Sequence, residues 1–148
     1  MTRAMRDRKL PMRLLLVDDD EIDVLGMQRT LRAMDIAAEV TVAHDGMRAL
    51  EILRGGRGAP DSIEPPYLIV LDLNMPRMTG LEFLDQLRRD EKLRHSVVFV
   101  LSTSATEVDI RKAYDRNVAA YIQKSTGSES IRQTIKLLER YWHTVELP

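Results

Sequence analysis

Cysteine is missing from this 148-residue chain, so neither disulfides nor thiolate metal centres enter its chemistry. Histidine is scarce, and His44, His95 and His143 stand too far apart for the helical ligand spacing of a zinc site. An excess of either charge is missing too. The 22 Lys and Arg against 23 Asp and Glu leave a net charge of −1, which gives no reason to expect nucleic acid on a basic face. No apolar run approaches the roughly 20 residues that cross a bilayer. The charged first residues contain no apolar stretch of the kind a secretion signal requires. The expectation is a cytoplasmic protein that engages neither membrane nor nucleic acid. Arg3, Arg6, Arg8, Lys9 and Arg13 make the N-terminus locally basic, and residues 1–12 read as a solvated tail. The length then suits one domain over 13–148.

What is present is an alternation of two periodicities. Met12 to Val17 reads as a buried strand, because Leu14 to Val17 is an unbroken apolar run. Ile22, Leu25, Leu31 and Met34 follow at helical spacing, with Asp20 as the predicted N-cap. Residues 39–43 form a second short strand. Asp45-Gly46 then opens a helix carrying Met47, Leu50, Ile52 and Leu53, which Gly55-Gly56 ends. Residues 57–66, with three prolines, read as a loop. Strands over 67–71, 97–101 and 119–123 alternate with helices over 79–93, 105–116 and 128 to about 145. Five strands alternating with five helices predict an α/β doubly wound parallel sheet covered on both faces.

Four of the apolar runs end on groups suited to phosphate and magnesium chemistry. The first delivers Asp18-Asp19-Asp20, the third Asp72, the fourth Ser102-Thr103 and the last Lys124. In an open parallel sheet, ligands bind at the carboxyl ends of the strands. Carboxylates, a hydroxyl and a lysine on one edge suit a phosphorylatable aspartate with bound Mg²⁺. A carboxylate nucleophile needs no base, but the charge around it must be neutralised. Mg²⁺ takes oxygen ligands and often uses one or two carboxylates plus phosphate. Each segment alone has an ordinary reading. Asp18 to Asp20 can be a solvated turn capping a helix, Asp72 a turn residue ahead of Pro76, and Ser102 and Lys124 plain strand-end residues. Agreement across independent segments favours a site.

These segments resemble the receiver domain of two-component response regulators. The resemblance is carried by Val17-Asp18-Asp19, Leu71-Asp72-Leu73-Asn74-Met75-Pro76-Arg77-Met78-Thr79-Gly80, Leu101-Ser102-Thr103 and Tyr121-Ile122-Gln123-Lys124, with His44-Asp45-Gly46 at the second strand exit. It spans about residues 13 to 141. It implies a flavodoxin-like sheet of five strands in the order 2-1-3-4-5 with five helices. It also implies that Asp72 accepts a phosphoryl group from the phosphohistidine of a histidine kinase. By the same resemblance Asp19, Asp72 and the backbone carbonyl of Asn74 bind Mg²⁺ directly, and Asp18 binds it through water. Lys124 meets a phosphoryl oxygen and Ser102 donates its hydroxyl. Ser102 and Tyr121 form a switch pair, although Tyr121 is equally readable as a half-buried strand tyrosine. Such a protein is a phosphoryl acceptor rather than an enzyme, at most catalysing its own phosphorylation and dephosphorylation.

Two positions depart from the family pattern. Ser102 stands where threonine is commoner, and Ser125 stands where the family usually has proline after a cis bond. A cis bond to a non-proline residue costs about 3–4 kcal/mol, so this loop is expected to be trans or strained. Residues 17–24 and the Pro-rich 57–66 insertion look like those of small single-domain regulators that serve phytochrome-type histidine kinases. With the sequence ending at Pro148, output is expected through protein contact or phosphoryl relay. The last helix carries two apolar stripes, Ile131, Ile135 and Leu138, and Leu137, Tyr141 and Val145. The second predicts a homodimer through the fourth helix, fifth strand and fifth helix. Trp142 belongs with the first stripe, as core or interface. A phosphorylation-independent docking module of the same fold is the alternative. A haloacid-dehalogenase-type phosphatase would need an acid where Asn74 sits, and a P-loop enzyme a glycine-rich loop where Asp19-Asp20-Glu21 sit.

Overall fold

In the computed structural model the strands are the apolar runs, and their side chains alternate between two cores. The structure describes residues 10–55, 61–125 and 127–148. The basic segment up to Lys9 and the Gly56 to Pro60 part of the Pro-rich loop lie outside the described residues. The elements in chain order are β1 (Met12–Val17), α1 (Glu21–Ala33), β2 (Ala38–Ala43), α2 (Gly46–Arg54) and β3 (Leu68–Leu71). They continue with α3 (Gly80–Arg89), β4 (Val97–Ser102), α4 (Glu107–Asp115), β5 (Ala120–Gln123) and α5 (Ser128–Thr144). All strand pairs are parallel, in the order β2-β1-β3-β4-β5, as the resemblance implies.

Leu15 and Val17 point to one face of the sheet and Leu14 and Leu16 to the other, the period-two alternation of a strand. The first face packs against α2, α3 and α4 through Leu50, Phe83, Leu84 and Ala113. The second packs against α1 and α5 through Val24, Leu31, Ile135, Leu138 and Trp142. Burial on both faces explains why β1 and β3 read as unbroken apolar runs. Each fully buried Leu or Phe contributes roughly 1.5–3 kcal/mol. Trp142 is thus core on the α1 and α5 side. Leu147, beyond the end of α5, is buried in the same cluster.

The helix starts follow from short polar side chains. Asp20 caps α1 by accepting from the Ile22 N–H (2.9 Å), and Asp45 caps α2 by accepting from Arg48 (2.8 Å). Thr79 and Glu82 form a reciprocal capping box at the start of α3. Two expected boundaries are corrected. α3 stops at Arg89 rather than at 93, because Asp90 turns extended and its carboxylate takes the Lys92 N–H (2.9 Å). α4 starts at Glu107 rather than at 105, because Thr106 is its N-cap. Among the described residues the only cis peptide bond is Pro65–Pro66, so Lys124–Ser125 is trans. No described helix is long and apolar enough to cross a membrane.

Candidate metal and phosphoryl site

The functional side chains are placed by the last rungs of the sheet. One residue beyond β1, the Asp18 N–H donates to the Ala43 carbonyl (3.0 Å). One residue beyond β3, the Asp72 N–H donates to Val17 (2.9 Å), and one beyond β5, the Lys124 N–H donates to Ser102 (2.7 Å). Each side chain therefore leaves the sheet from a backbone already pinned by its neighbour strand. That is why polar residues ending separate runs meet in space.

Oxygens of Asp18, Asp19 and Asp72 all lie within 4.8 Å of one another. An oxygen trio of this spread fits one small hard cation with water completing its coordination. Asp72 is only 7 % exposed and Asp18 almost as buried, whereas Asp19 faces solvent. Burial pushes the Asp72 carboxyl above the ordinary carboxylate range; Lys124 opposes this, and Asp18 and Asp19 add to it. Burial likewise raises Asp18, opposed by the Asp20 N–H and Lys124. Repulsion between the carboxylates is thus a smaller cause than burial. Asp18 has both oxygens engaged: Oδ1 accepts from the Asp20 N–H (2.9 Å) and Oδ2 from Lys124 (2.9 Å).

Behind Asp72 the chain turns tightly. The Asn74 N–H donates to Asp72 Oδ1 (3.3 Å), and the Gly80 N–H donates to the Leu73 carbonyl (2.9 Å). A β-carbon on Gly80 would stand 2.6 Å from Leu73 Cα and 2.7 Å from the Asp72 carbonyl oxygen. Glycine here lets the first turn of α3 press against the backbone of the acceptor strand.

Lys124 reaches back across the site. Its Nζ donates to Asp23 Oδ2 (2.7 Å) and Asp18 Oδ2 (2.9 Å), and lies 3.7 Å from Asp72 Oδ2. Burial alone would lower its pKa; the hydrogen bonds to Asp23 and Asp18, with attraction from Asp18 and Asp72, raise it far above the usual value instead. These contacts therefore favour the charged form of Lys124. Asp23 was not among the residues expected here. An acid in the first turn of a helix reads as a dipole partner, and the only signal for more was its place one turn after a strand exit.

Ser102 ends β4, fully buried, its hydroxyl accepting from the Ser104 N–H (3.2 Å). Tyr121, half-buried on β5, donates its hydroxyl to the Ser104 carbonyl (2.8 Å), and the Ser104 hydroxyl donates to Asp109 (2.5 Å) in α4. Ser102 and Tyr121 thus meet the same loop residue. Asp20 stays outside the cluster as an exposed cap.

The sequence profile of the response regulator receiver domain matches residues 14–136. Response regulator Rcp1 of Synechocystis is 32% identical over 139 residues, covering 93% of this chain and 94% of its own length. The crystal structure of the phosphorylated cyanobacterial phytochrome response regulator RcpA superposes with a TM-score of 0.81 at 35% identity, covering 94% of this chain and 99% of that one. The Mn²⁺-bound form of response regulator Rcp1 superposes with a TM-score of 0.79 at 32% identity, covering 93% and 99% respectively.

Proposed function

This chain belongs to the response regulator receiver domain family, and we propose that it accepts a phosphoryl group on Asp72 from a histidine kinase and signals through protein contacts. The observation that carries the reading is the meeting of Asp18, Asp19 and Asp72 with the Lys124 ammonium at the carboxyl ends of β1, β3 and β5. Asp19, Asp72 and the Asn74 carbonyl would hold Mg²⁺ directly, and Asp18 through water. The double engagement of Asp18 with Lys124 and the Asp20 amide supports the indirect role. When bound, the ion supplies positive charge to the phosphoryl oxygens.

In the transfer, a carboxylate oxygen of Asp72 attacks phosphorus as the donor's P–N bond breaks, its electron pair staying on the imidazole. The protein's part is position and charge. Lys124 stands near enough to Asp72 to meet a phosphoryl oxygen. Ser102 can donate its hydroxyl while still accepting from Ser104, because a hydroxyl does both. Tyr121 and Ser102, joined through Ser104, would carry the change toward α4. A phytochrome-type kinase is the proposed donor, supported by the 35% identity to RcpA over nearly the whole of both chains. A homodimer through α4, β5 and α5 is the proposed assembly.

The test is phosphorylation by acetyl phosphate, read by intact mass and by loss of the label in hydroxylamine. The chain gains an acyl phosphate with Mg²⁺ and gains none with a chelator. No label under either condition would leave the docking-module reading in its place.

A further inference from the structure

Lys124 has more carboxylates around it than phosphoryl transfer requires. Its two short contacts are to Asp18 and Asp23, and Asp72, the acceptor, stands beyond hydrogen-bond distance at 3.7 Å. Asp23 belongs to α1 and makes the shortest of the three contacts at 2.7 Å. The lysine side chain is nearly buried, while that of Asp23 is 40% exposed. Both line the same groove between α1 and α5, with Ile22, Thr103 and Ile131. The ammonium therefore sits between two stations, with open space beside it.

We propose that Asp23 is a positioning residue of the phosphoryl step: it holds Lys124 on the α1 side while Asp72 is unmodified and yields the ammonium to the phosphoryl group once Asp72 carries it. The inference rests on Asp72 being the acceptor, as argued above. With an acyl phosphate donor, the donor's O–P bond breaks, its electron pair leaving on the carboxylate, and an Asp72 O–P bond forms. No proton is transferred. The acceptor side chain then carries about one negative charge more than before, and it reaches further toward the lysine than the bare carboxylate did.

That change decides the competition. Before transfer, Asp23 and Asp72 each offer a single negative charge, and Asp23 is closer. After it, the phosphoryl side offers more charge and more acceptor oxygens, and charge-assisted hydrogen bonds are the strong ones. Asp23 is half in solvent, so water compensates its loss of the lysine at little cost. Asp18 holds the ammonium in both states, as a pivot.

The test compares parent, Asp23→Asn and Glu21→Gln for binding of trifluoroberyllate, a phosphoryl mimic, at saturating Mg²⁺ by amide NMR. Glu21 lies in the same helical turn, is exposed, and touches His44 rather than Lys124, so its variant measures the plain effect of removing one negative charge. Asp23→Asn is expected to bind the mimic on the order of fivefold more tightly, the scale of a half-exposed ion pair. Glu21→Gln should stay near the parent. The nitrogen-15 signal of the Lys124 ammonium gives a reading that fold stability does not move. In free Asp23→Asn it lies displaced toward its position in the mimic-bound parent. Unchanged or weaker binding by Asp23→Asn, an equal gain in Glu21→Gln, or an unmoved ammonium signal would each overturn the proposal. If the parent binds no mimic and takes no phosphate, the receiver reading of Asp72 fails first, and this inference falls with it.

Discussion

At the residue scale, the unmodified site is a place of opposed charges. Asp72 is buried among carboxylates, and one lysine does not offset the cost of keeping it ionised. Its raised pKa means that the folded state binds protons more readily than the unfolded one. The associated penalty is absent below the ordinary carboxylate range and fully present above the raised value, so it weighs on stability at neutral pH. Asp72→Asn is therefore expected to raise the melting temperature in chelator. Mg²⁺ should narrow the gap by stabilising only the parent. An unchanged or lowered melting temperature in chelator would mean that the burial cost is met elsewhere. Direct ligation predicts that Asp19→Asn loses more Mg²⁺ affinity than Asp18→Asn, by about tenfold or more. Isothermal titration is the suitable measurement, since Trp142 is packed in the core against α1 and α5. Equal losses would contradict the assignment of Asp18 to a water-mediated contact. Asp18, Asp19 and Asp72 were legible in the sequence because the buried runs of β1 and β3 stop abruptly on charge, and Lys124 because it follows the half-buried run of β5. Asp23 was not, because a first-turn acid satisfies helix electrostatics without any site nearby.

At the scale of elements, the strands declared themselves, and so did the helix ends marked by Asp20, Asp45 and Gly55, whereas the end of α3 and the start of α4 did not. A strand buried on both faces has no polar position to spare, so β1 and β3 stand out. The apolar pattern near α3 runs on to Leu93, which is buried from a turn rather than from the helix, and this misled the boundary. Two glycines give a paired prediction about what the elements require. Gly26 lies inside α1, where an added β-carbon meets Ile131 Cδ1 at an ordinary 3.6 Å. Gly26→Ala should stabilise by about 0.5–1 kcal/mol, the usual cost of glycine within a helix. Gly80→Ala should destabilise by about 1–3 kcal/mol, since the new methyl would strike the backbone of Asp72 and Leu73. It should also slow phosphorylation, because those atoms carry the acceptor. Chemical denaturation of both variants gives the answer. A neutral Gly80→Ala would show that α3 can back away without consequence.

For the molecule as a whole, sheet order and layering followed from five alternations and a familiar set of strand ends, whereas surfaces were harder to read. The two apolar stripes of α5 look alike in sequence, yet Tyr141 of the second stripe packs edge-on against Phe99 with ring centroids 4.9 Å apart. What remains outward is Leu137, 44% exposed, and Val145, 37%, with Val108 and Tyr114 on α4. These are the groups on which the proposed two-fold contact across α4, β5 and α5 would rest. Leu137→Asp with Val145→Asp is therefore the sounder disruption, since Tyr141→Ala would hollow the core. Sedimentation equilibrium at micromolar concentration should find a dimer in the parent and a monomer in the double variant. A parent that stays monomeric with and without acetyl phosphate would end the dimer proposal. The central claim concerns a single atom pair, the oxygen of Asp72 and a phosphorus. It is tested most directly by treating the chain with acetyl phosphate and Mg²⁺, trapping the acyl phosphate with borohydride and mapping the reduced residue by peptide mass spectrometry. Modification at Asp72 alone, and none in Asp72→Asn, is the predicted result; trapped label on any other carboxylate, or label persisting in Asp72→Asn, would contradict it.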